Sequence, residues 1–302
     1  MPRLFTQIIC LILIALTFGC SEKFETERFY SMGTFVSITL PEKHKNLEID
    51  VRSKMTKLEN LVKSSSEKAN ESQNFNFTGV MNELAEYGEQ YSEMTEGRFS
   101  IYAYTIAKLY GFHEGPYTEP SEDDIEKAVD DIDKMKDVKM DMGAFAKGYI
   151  VDKAVELLRS KGVDNAMINA GGDLYAIGIK GDRKWRVAVK HPDKTDEFIS
   201  IVHLEDKALA TSGDYERFFE TKNGKRIYHI FDATTGKNPE FYRSVSVIAD
   251  TTEKADALAT IFFLLPETDI KIRCSKLKTP VLLYNKKDVV KKLCGWENFE
   301  NK

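Results

Sequence analysis

The sequence predicts a layered α+β fold in which packed helices cover a mixed or antiparallel sheet. Two observations favour this class. Apolar residues recur at helical spacing in most segments before residue 160, whereas short β-branched and apolar runs predominate from residue 166 onward. The composition, with 42% hydrophobic and 30% charged residues among 302, is that of a folded chain and excludes a disordered or collagen-like protein.

Helical segments are recognised by apolar residues three and four positions apart. In the first of them, Val51, Met55 and Leu58 follow this spacing. Ser121 and Asp124 have the spacing of a capping box, which indicates where an acidic helix begins. The predicted helices cover residues 47–62, 80–94, 101–110, 121–132, 144–159 and 252–265.

Strands are indicated by runs rich in β-branched and aromatic residues. The first run ends at Pro41, and the polar segment 64–76 is predicted to be irregular. The chain has no internal repeat and no linker that would divide it, so residues 20–302 are predicted to form a single domain. The predicted strands cover residues 29–40, 166–169, 174–179, 185–189, 199–204, 207–210, 226–231, 244–249 and 281–284.

The first 19 residues have the features of a signal peptide. Arg3 precedes an uncharged apolar run at 8–18, which is too short to span a bilayer comfortably. Cys20 then stands directly before polar residues, as at a lipoprotein cleavage site, although Thr17 occupies the position where Leu is usual. We therefore expect an exported protein anchored by lipid on Cys20, at the periplasmic face of the inner membrane. An ordinary cleaved signal peptide and an uncleaved anchor remain alternatives.

Charge and cysteine content restrict the class of partner. The formal net charge of −5 argues against broad nucleic-acid binding, which requires a basic surface. Outside the leader and its cleavage site, the cysteines are Cys274 and Cys294. They could pair in an oxidising compartment or remain free and buried, and the sequence leaves this open.

The block 141–152 places two glycines and two alanines around a predicted helix start, together with Lys147. Exposed backbone N–H groups and the positive end of the helix dipole suit an anion there, and Lys147 adds a full charge. The motif is not a Walker loop, because no Gly-Lys-Ser/Thr follows. A closely packed helix start with an exposed Lys147 is the alternative.

Two further motifs combine small residues with strand ends. In Asn169-Ala170-Gly171-Gly172-Asp173, paired glycines allow a ligand to approach the backbone, and Asp173 could bind a hydroxyl group. The block 208–215, which contains Ser212, could likewise hold phosphate oxygens. Ordinary turns are the alternative for both motifs.

The last two motifs supply titratable and metal-binding groups. His229 and Asp232 lie near the end of a predicted strand, where His229 could act as a base or a stacking partner. Asp256 and Thr260 are four residues apart on a predicted helix, so their oxygens share a face. A carboxylate with a hydroxyl suits Mg²⁺, which takes few protein ligands. A structural histidine and a helix-bonded threonine are the alternatives.

Taken in chain order, these motifs resemble the FAD:protein FMN transferases, the ApbE-type flavin transferases. The resemblance begins with Met32-Gly33-Thr34 and covers about residues 29–265. It implies an ApbE-like fold, a Mg²⁺ cofactor and FAD as substrate. Such enzymes attach FMN by a phosphoester bond to a Thr or Ser of an exported acceptor protein and release AMP, whereas some members hydrolyse FAD to FMN and AMP.

The resemblance also implies roles for individual residues. Ala144 would offer a backbone carbonyl to the metal, with Asp256 and Thr260 as side-chain ligands. Lys147 would lie near the pyrophosphate as part of the catalytic site. We expect His229 or Asp232 to accept the hydroxyl proton. The residues expected to line the FAD site are Met32, Gly33, Lys147, Gly171, Gly172, Asp173, Ser212 and His229.

One departure from the family pattern leaves a second outcome open. The family commonly carries an aromatic residue within the segment corresponding to 64–76, whereas this chain has Lys68 and Asn70 there and no aromatic until Phe75. A more open pocket could admit water to the phosphorus, so FAD hydrolysis is an alternative to transfer. A non-catalytic FAD-binding lipoprotein is a third possibility, which the presence of Asp256 and Lys147 disfavours.

Overall fold

The computed structural model describes residues 22–71, 77–113, 115–135, 139–194 and 196–301. The predicted signal segment 1–19 and the predicted lipidation site Cys20 lie outside these residues. Within the described ranges, no helix combines the length and the apolar character that a membrane crossing needs.

An eight-stranded sheet lies at the centre of the domain. The strands of the chain are β1 (Phe24–Ser31), β2 (Thr34–Pro41), β3 (Ala166–Ala170), β4 (Asp173–Ile177), β5 (Trp185–Lys190), β6 (Phe198–Leu204), β7 (Lys207–Gly213), β8 (Phe218–Glu220), β9 (Arg226–Tyr228), β10 (Tyr242–Ala249), β11 (Val281–Asn285) and β12 (Val290–Leu293). The central sheet has the order β1-β2-β3-β4-β7-β10-β11-β12, and every neighbouring pair is antiparallel. Two small antiparallel pairs, β5-β6 and β8-β9, lie outside it.

The helices of the described residues are α1 (Leu47–Glu71), α2 (Val80–Met94), α3 (Tyr104–Leu109), α4 (Glu122–Asp133), α5 (Gly143–Ser160), α6 (Thr252–Leu264) and α7 (Glu267–Leu277). All of them except α3 and α4 contribute buried residues to the core on one face of the sheet, whereas α3 and α4 pack in a separate core with β9. Helix α6 packs on β7, β10 and α5, and α5 packs in turn on α1. Nearly every residue of α6 is buried, which is typical of a helix inside a protein core.

The two faces of the sheet belong to separate cores. Along β4, Tyr175 and Ile177 pack in the core beneath the helices, whereas Leu174 and Ala176 pack in a second core on the opposite face. This alternation is the two-residue period of a strand. The second core is closed by the β5-β6 pair and by Trp296. The structure therefore has three layers, and the predicted layered α+β class is confirmed.

Two predicted segments differ from the structure. The run 29–40 is a hairpin rather than one strand, because Met32 and Gly33 both have positive φ, of 53° and 70°, and reverse the chain. The segment 64–76 is helical as far as Glu71, and 72–76 lie outside the described residues. In this part of α1 the buried positions are Ser65 and Ser66, so apolar periodicity could not indicate the helix. Helix α7 and strands β8 and β12 were not predicted from the sequence.

Cys274 and Cys294 form a disulfide between α7 and the residue that follows β12. The sequence separation is 20 residues, and a closed loop of this size stabilises a protein by about 3 kcal/mol, mainly by restricting the unfolded chain. We expect the double substitution Cys274→Ser/Cys294→Ser to lower the free energy of unfolding in urea by about 2–4 kcal/mol. Reductant should destabilise the wild type to the same extent and leave the variant unchanged. Equal stability of the two proteins would contradict the prediction.

Candidate active site

A cleft of about 1260 Å³ opens beside the start of α5. Two hairpin turns form part of its wall: Met32-Gly33 between β1 and β2, and Gly171-Gly172 between β3 and β4. The turns lie close together, because the backbone N–H of Gly171 donates to the carbonyl of Phe35 at 3.1 Å. A Cβ at Gly171 would lie 2.4 Å from the hydroxyl of Thr34, so this close approach requires glycine. The structure thus places Met32, Gly33 and both turn glycines on the cleft, as the sequence suggested.

Lys147 and Asp173 form an ion pair at this cleft. The Nζ atom lies 2.6 Å from Oδ2 of Asp173, whose residue is only 1% exposed. Within the described residues, Oδ2 makes this ion-pair contact and has no hydrogen-bond partner. Burial alone would lower the pKa of Lys147, but Asp173, Asp256 and Glu216 outweigh it, and the pKa is raised. Lys147 therefore remains a cation at the wall of the cleft.

Asp256 is a second buried carboxylate in this region. It lies on α6 and accepts a hydrogen bond from the backbone N–H of Gly148 at 2.9 Å. The two helices can approach so closely because a Cβ at Gly148 would lie only 2.5 Å from the carbonyl oxygen of Thr252. Burial, and then the negative charge of Asp173, raise the pKa of Asp256 well above its usual range. In the protein alone, the ionised form of Asp256 is therefore disfavoured.

Thr260 lies one turn beyond Asp256 on α6, and its hydroxyl is 3.0 Å from that of Ser212 on β7. Asp256, Thr260, Asp173 and Ser212 do not line the open cleft and lie behind its wall. Ala144 belongs to the first turn of α5. No group of three or more His, Cys, Asp or Glu side chains suited to a metal occurs among the described residues.

These residues fit a magnesium ion. Its sites in proteins use oxygen ligands and need only one or two carboxylates, since water and phosphate supply the remaining ligands. Asp256 and Asp173 are buried carboxyl groups whose ionised forms a cation would stabilise, and within the described residues one oxygen of Asp173 has no hydrogen-bond partner. The donor set and this oxygen both suit a divalent cation.

The two predicted bases are in different surroundings. His229 lines the cleft, and burial with the nearby Arg217 charge lowers its pKa to about 4. Asp232 does not line the cleft. Its carboxylate accepts hydrogen bonds from Arg98 at 2.8 Å and from the Thr234 hydroxyl at 2.6 Å. His229 therefore lies at the cleft, whereas Asp232 lies away from it and stabilises a turn.

Several residues of the cleft, among them Glu216, Tyr104 and His113, were not predicted from the sequence as site residues. Glu216 lines the cleft and is surrounded there by protein. This partial removal from water raises its pKa to about 7. Its only sequence signal is that it directly follows the block 208–215. Tyr104 and His113 also line the cleft, with ring centroids 4.2 Å apart. Tyr104 begins α3 and His113 follows this helix, and their spacing matches no motif that the sequence analysis used.

The two titrating groups give different pH profiles. If His229 accepts the proton, we expect kcat/KM to stay constant from pH 8 to about 5 and to fall below that, because its pKa is about 4. If Glu216 accepts it, the fall should begin near pH 7. His229→Ala should lower turnover by about 100-fold or more while FAD binding persists. His229 would be excluded as the base if His229→Ala retained near-full turnover and Glu216→Gln instead changed the pH profile of kcat/KM.

Comparison with known proteins agrees with this geometry. The sequence model of the ApbE family matches residues 32–282. The FAD:protein FMN transferase of Treponema pallidum is 39% identical over 139 residues, which are 42% of this chain and 38% of that protein. The enzyme of the same name from Rhodobacter capsulatus is 31% identical over 213 residues, or 65% and 40% of the two chains. The chain thus spans about two fifths of the length of these curated relatives.

Solved structures share the fold over almost the whole chain. The ApbE protein from Thermotoga maritima has a TM-score of 0.85 and 26% identity, and the match covers 93% of this chain and 100% of that one. The flavin transferase ApbE from Vibrio cholerae has a TM-score of 0.81 and 23% identity, with 92% and 99% coverage, and it shows the fold alone. Because the family model spans most of the sequence, this chain belongs to the ApbE family.

Proposed function

We propose that this protein is a Mg²⁺-dependent FAD:protein FMN transferase, which attaches FMN to a Thr or Ser of an exported acceptor protein and releases AMP. The observation that carries the proposal is the position of Lys147 at the wall of a large cleft with glycine turns, with Asp173 and Asp256 directly behind it. A lysine and a cation site beside a glycine-lined cavity suit the pyrophosphate of a dinucleotide. The relatives named above as FAD:protein FMN transferases support this choice of substrate.

The residues of the chain have separate tasks in this reaction. The acceptor oxygen forms a bond to the phosphorus of the FMN moiety, and the bond from that phosphorus to the bridging oxygen breaks, so that AMP leaves with this oxygen. Lys147 holds a positive charge beside the pyrophosphate. The neutral imidazole of His229 accepts the hydroxyl proton. Bound by Asp256, Thr260 and the backbone carbonyl of Ala144, Mg²⁺ would neutralise charge that develops on the phosphates.

A second activity, hydrolysis of FAD to FMN and AMP, is favoured by one observation. Asn70 lines the cleft and is fixed there by two hydrogen bonds to the backbone of Met140, at 3.0 and 2.8 Å. Its small, immobilised side chain leaves space in which water could reach the phosphorus. We therefore expect measurable hydrolysis when no acceptor is present.

One incubation separates these functions. The protein is mixed with FAD, Mg²⁺ and an exported domain that carries a candidate Thr or Ser, and the products are then resolved. Covalent flavin fluorescence on the acceptor, with one AMP released per flavin attached, supports transfer. Free FMN and AMP without labelling support hydrolysis. Unchanged FAD would leave only a binding protein and would overturn the proposal.

We further propose that residues 20–302 form one exported domain anchored to the membrane through lipid on Cys20. The disulfide between Cys274 and Cys294 supports an oxidising compartment. Labelling of cells with a fatty-acid analogue tests the anchor, since Cys20→Ser should lose both the label and the membrane fraction. A labelled Cys20→Ser protein would contradict it.

A further inference from the structure

The hairpin of β1 and β2 presents an exposed aromatic pair at the edge of the cleft. Tyr30 is 66% exposed and Phe35 is 73% exposed, although both are large apolar side chains. They are direct partners in the strand register, and their rings meet edge to face with centroids 5.6 Å apart. Among the exposed large hydrophobic side chains of the described residues, Phe35 is the one that also lines the cleft. An exposed apolar pair beside a reaction site is typical of a binding surface.

Strand β1 also lies at the edge of the sheet. It pairs with β2 on one side, and within the described ranges no backbone hydrogen bond reaches its other side. Every second residue of such a strand directs its N–H and C=O groups away from its partner. Arg28 of this strand lines the cleft, and β1 ends directly before the Met32-Gly33 turn of the cleft wall. An added strand would therefore lead directly to the cleft.

We propose that the outer edge of β1, together with Tyr30 and Phe35, is the docking surface for an extended Thr- or Ser-bearing segment of the acceptor protein. This inference rests on the proposed transferase function, because that reaction needs a protein hydroxyl to reach the phosphorus inside the cleft. Backbone pairing along an edge strand binds segments of varied sequence, and an aromatic pair supplies the apolar anchor. The surface is continuous with the cleft, so a segment bound there can deliver its hydroxyl without a rearrangement of the core.

The first test measures the acceptor and FAD separately. In the transfer assay described above, Tyr30→Asp should raise the KM for the acceptor domain by about tenfold or more, as loss of a binding anchor does. Its affinity for FAD, its acceptor-free hydrolysis and its melting temperature should stay within experimental error of the wild type. Ile272→Asp is the matched control, because Ile272 is 70% exposed on α7, away from the cleft lining. An unchanged acceptor KM in Tyr30→Asp would overturn the proposal.

A second test does not depend on the stability of a variant. Benzoylphenylalanine is placed at the exposed Glu27 of β1 or, as the control, at Ile272. Illumination with the acceptor domain should give a covalent adduct from position 27 and none from position 272. Absence of the position-27 adduct would reject the docking surface. If the wild type labels no acceptor at all, the transferase function itself fails, and the two failures are therefore distinguishable.

Discussion

Asp256→Asn should abolish Mg²⁺-dependent turnover, with a loss of about a thousandfold or more, while FAD still binds. Loss of a metal ligand removes the cation, which would otherwise neutralise the charge on the phosphates. A thousandfold fall in rate corresponds to an increase of several kcal/mol in the activation free energy. In the absence of metal, the same substitution should not lower the melting temperature. It removes a buried carboxylate that is repelled by Asp173, and the amide oxygen can still accept from Gly148. Turnover, FAD affinity and melting curves with and without Mg²⁺ test these expectations.

A neighbouring aspartate provides the control for this experiment. Asp250 precedes α6 and its side chain is 75% exposed, in an ion pair with Lys207. Asp250→Asn should retain turnover and the Mg²⁺-induced rise in melting temperature. If Asp256→Asn also retains Mg²⁺-dependent activity, Asp256 is not a metal ligand. A fall in pH should weaken Mg²⁺ binding in the wild type, because the raised pKa of Asp256 makes its protonated form compete with the metal.

Lys147→Met should destabilise the protein by about 3–5 kcal/mol and remove detectable turnover. The substitution leaves the Asp173 carboxylate buried without its positive partner, which is the costly way to break a buried ion pair. The double variant Lys147→Met/Asp173→Asn should recover most of the stability, because neither charge remains. It should recover no activity, since the positive charge beside the pyrophosphate is still missing. Urea denaturation combined with the transfer assay measures both quantities.

Helix α5 itself contains a matched control for Lys147. The side chain of Lys153 has the same exposed fraction, 24%, but its partner Glu156 is mainly exposed to solvent. Lys153→Met should therefore change the free energy of unfolding by less than about 1 kcal/mol. Equal stability of Lys147→Met and Lys153→Met would show that the pair with Asp173 does not act as a buried ion pair.

The sequence was most informative where a motif is local. The Ser121 cap is observed, with its hydroxyl accepting from the N–H of Asp124, because all of its atoms lie within one helical turn. The glycines of the cleft wall could be predicted for the same reason, since a turn depends on adjacent residues. The placement of Asp256 and Thr260 on one helix also follows from a spacing of four.

Interactions between distant segments could not be predicted in this way. Asp232 is hydrogen-bonded to Arg98, which lies 134 residues earlier in the chain. The position of Asp232 at a predicted strand end therefore could not indicate this partner. The raised pKa of Glu216 depends on enclosure by the cleft and on Asp173, neither of which is visible in the local sequence. The pairing of Cys274 with Cys294 required the actual proximity of α7 and β12.

The enclosure of α6 within the core has a consequence for hydrogen exchange. Because this helix is covered on all sides, its backbone amides can exchange with solvent only when the domain unfolds as a whole. The exchange rates of amides 257–264 therefore report global stability. A ligand that binds at Asp256 and Thr260 should slow all of these amides by one common factor, and that factor gives the binding free energy without an enzymatic assay.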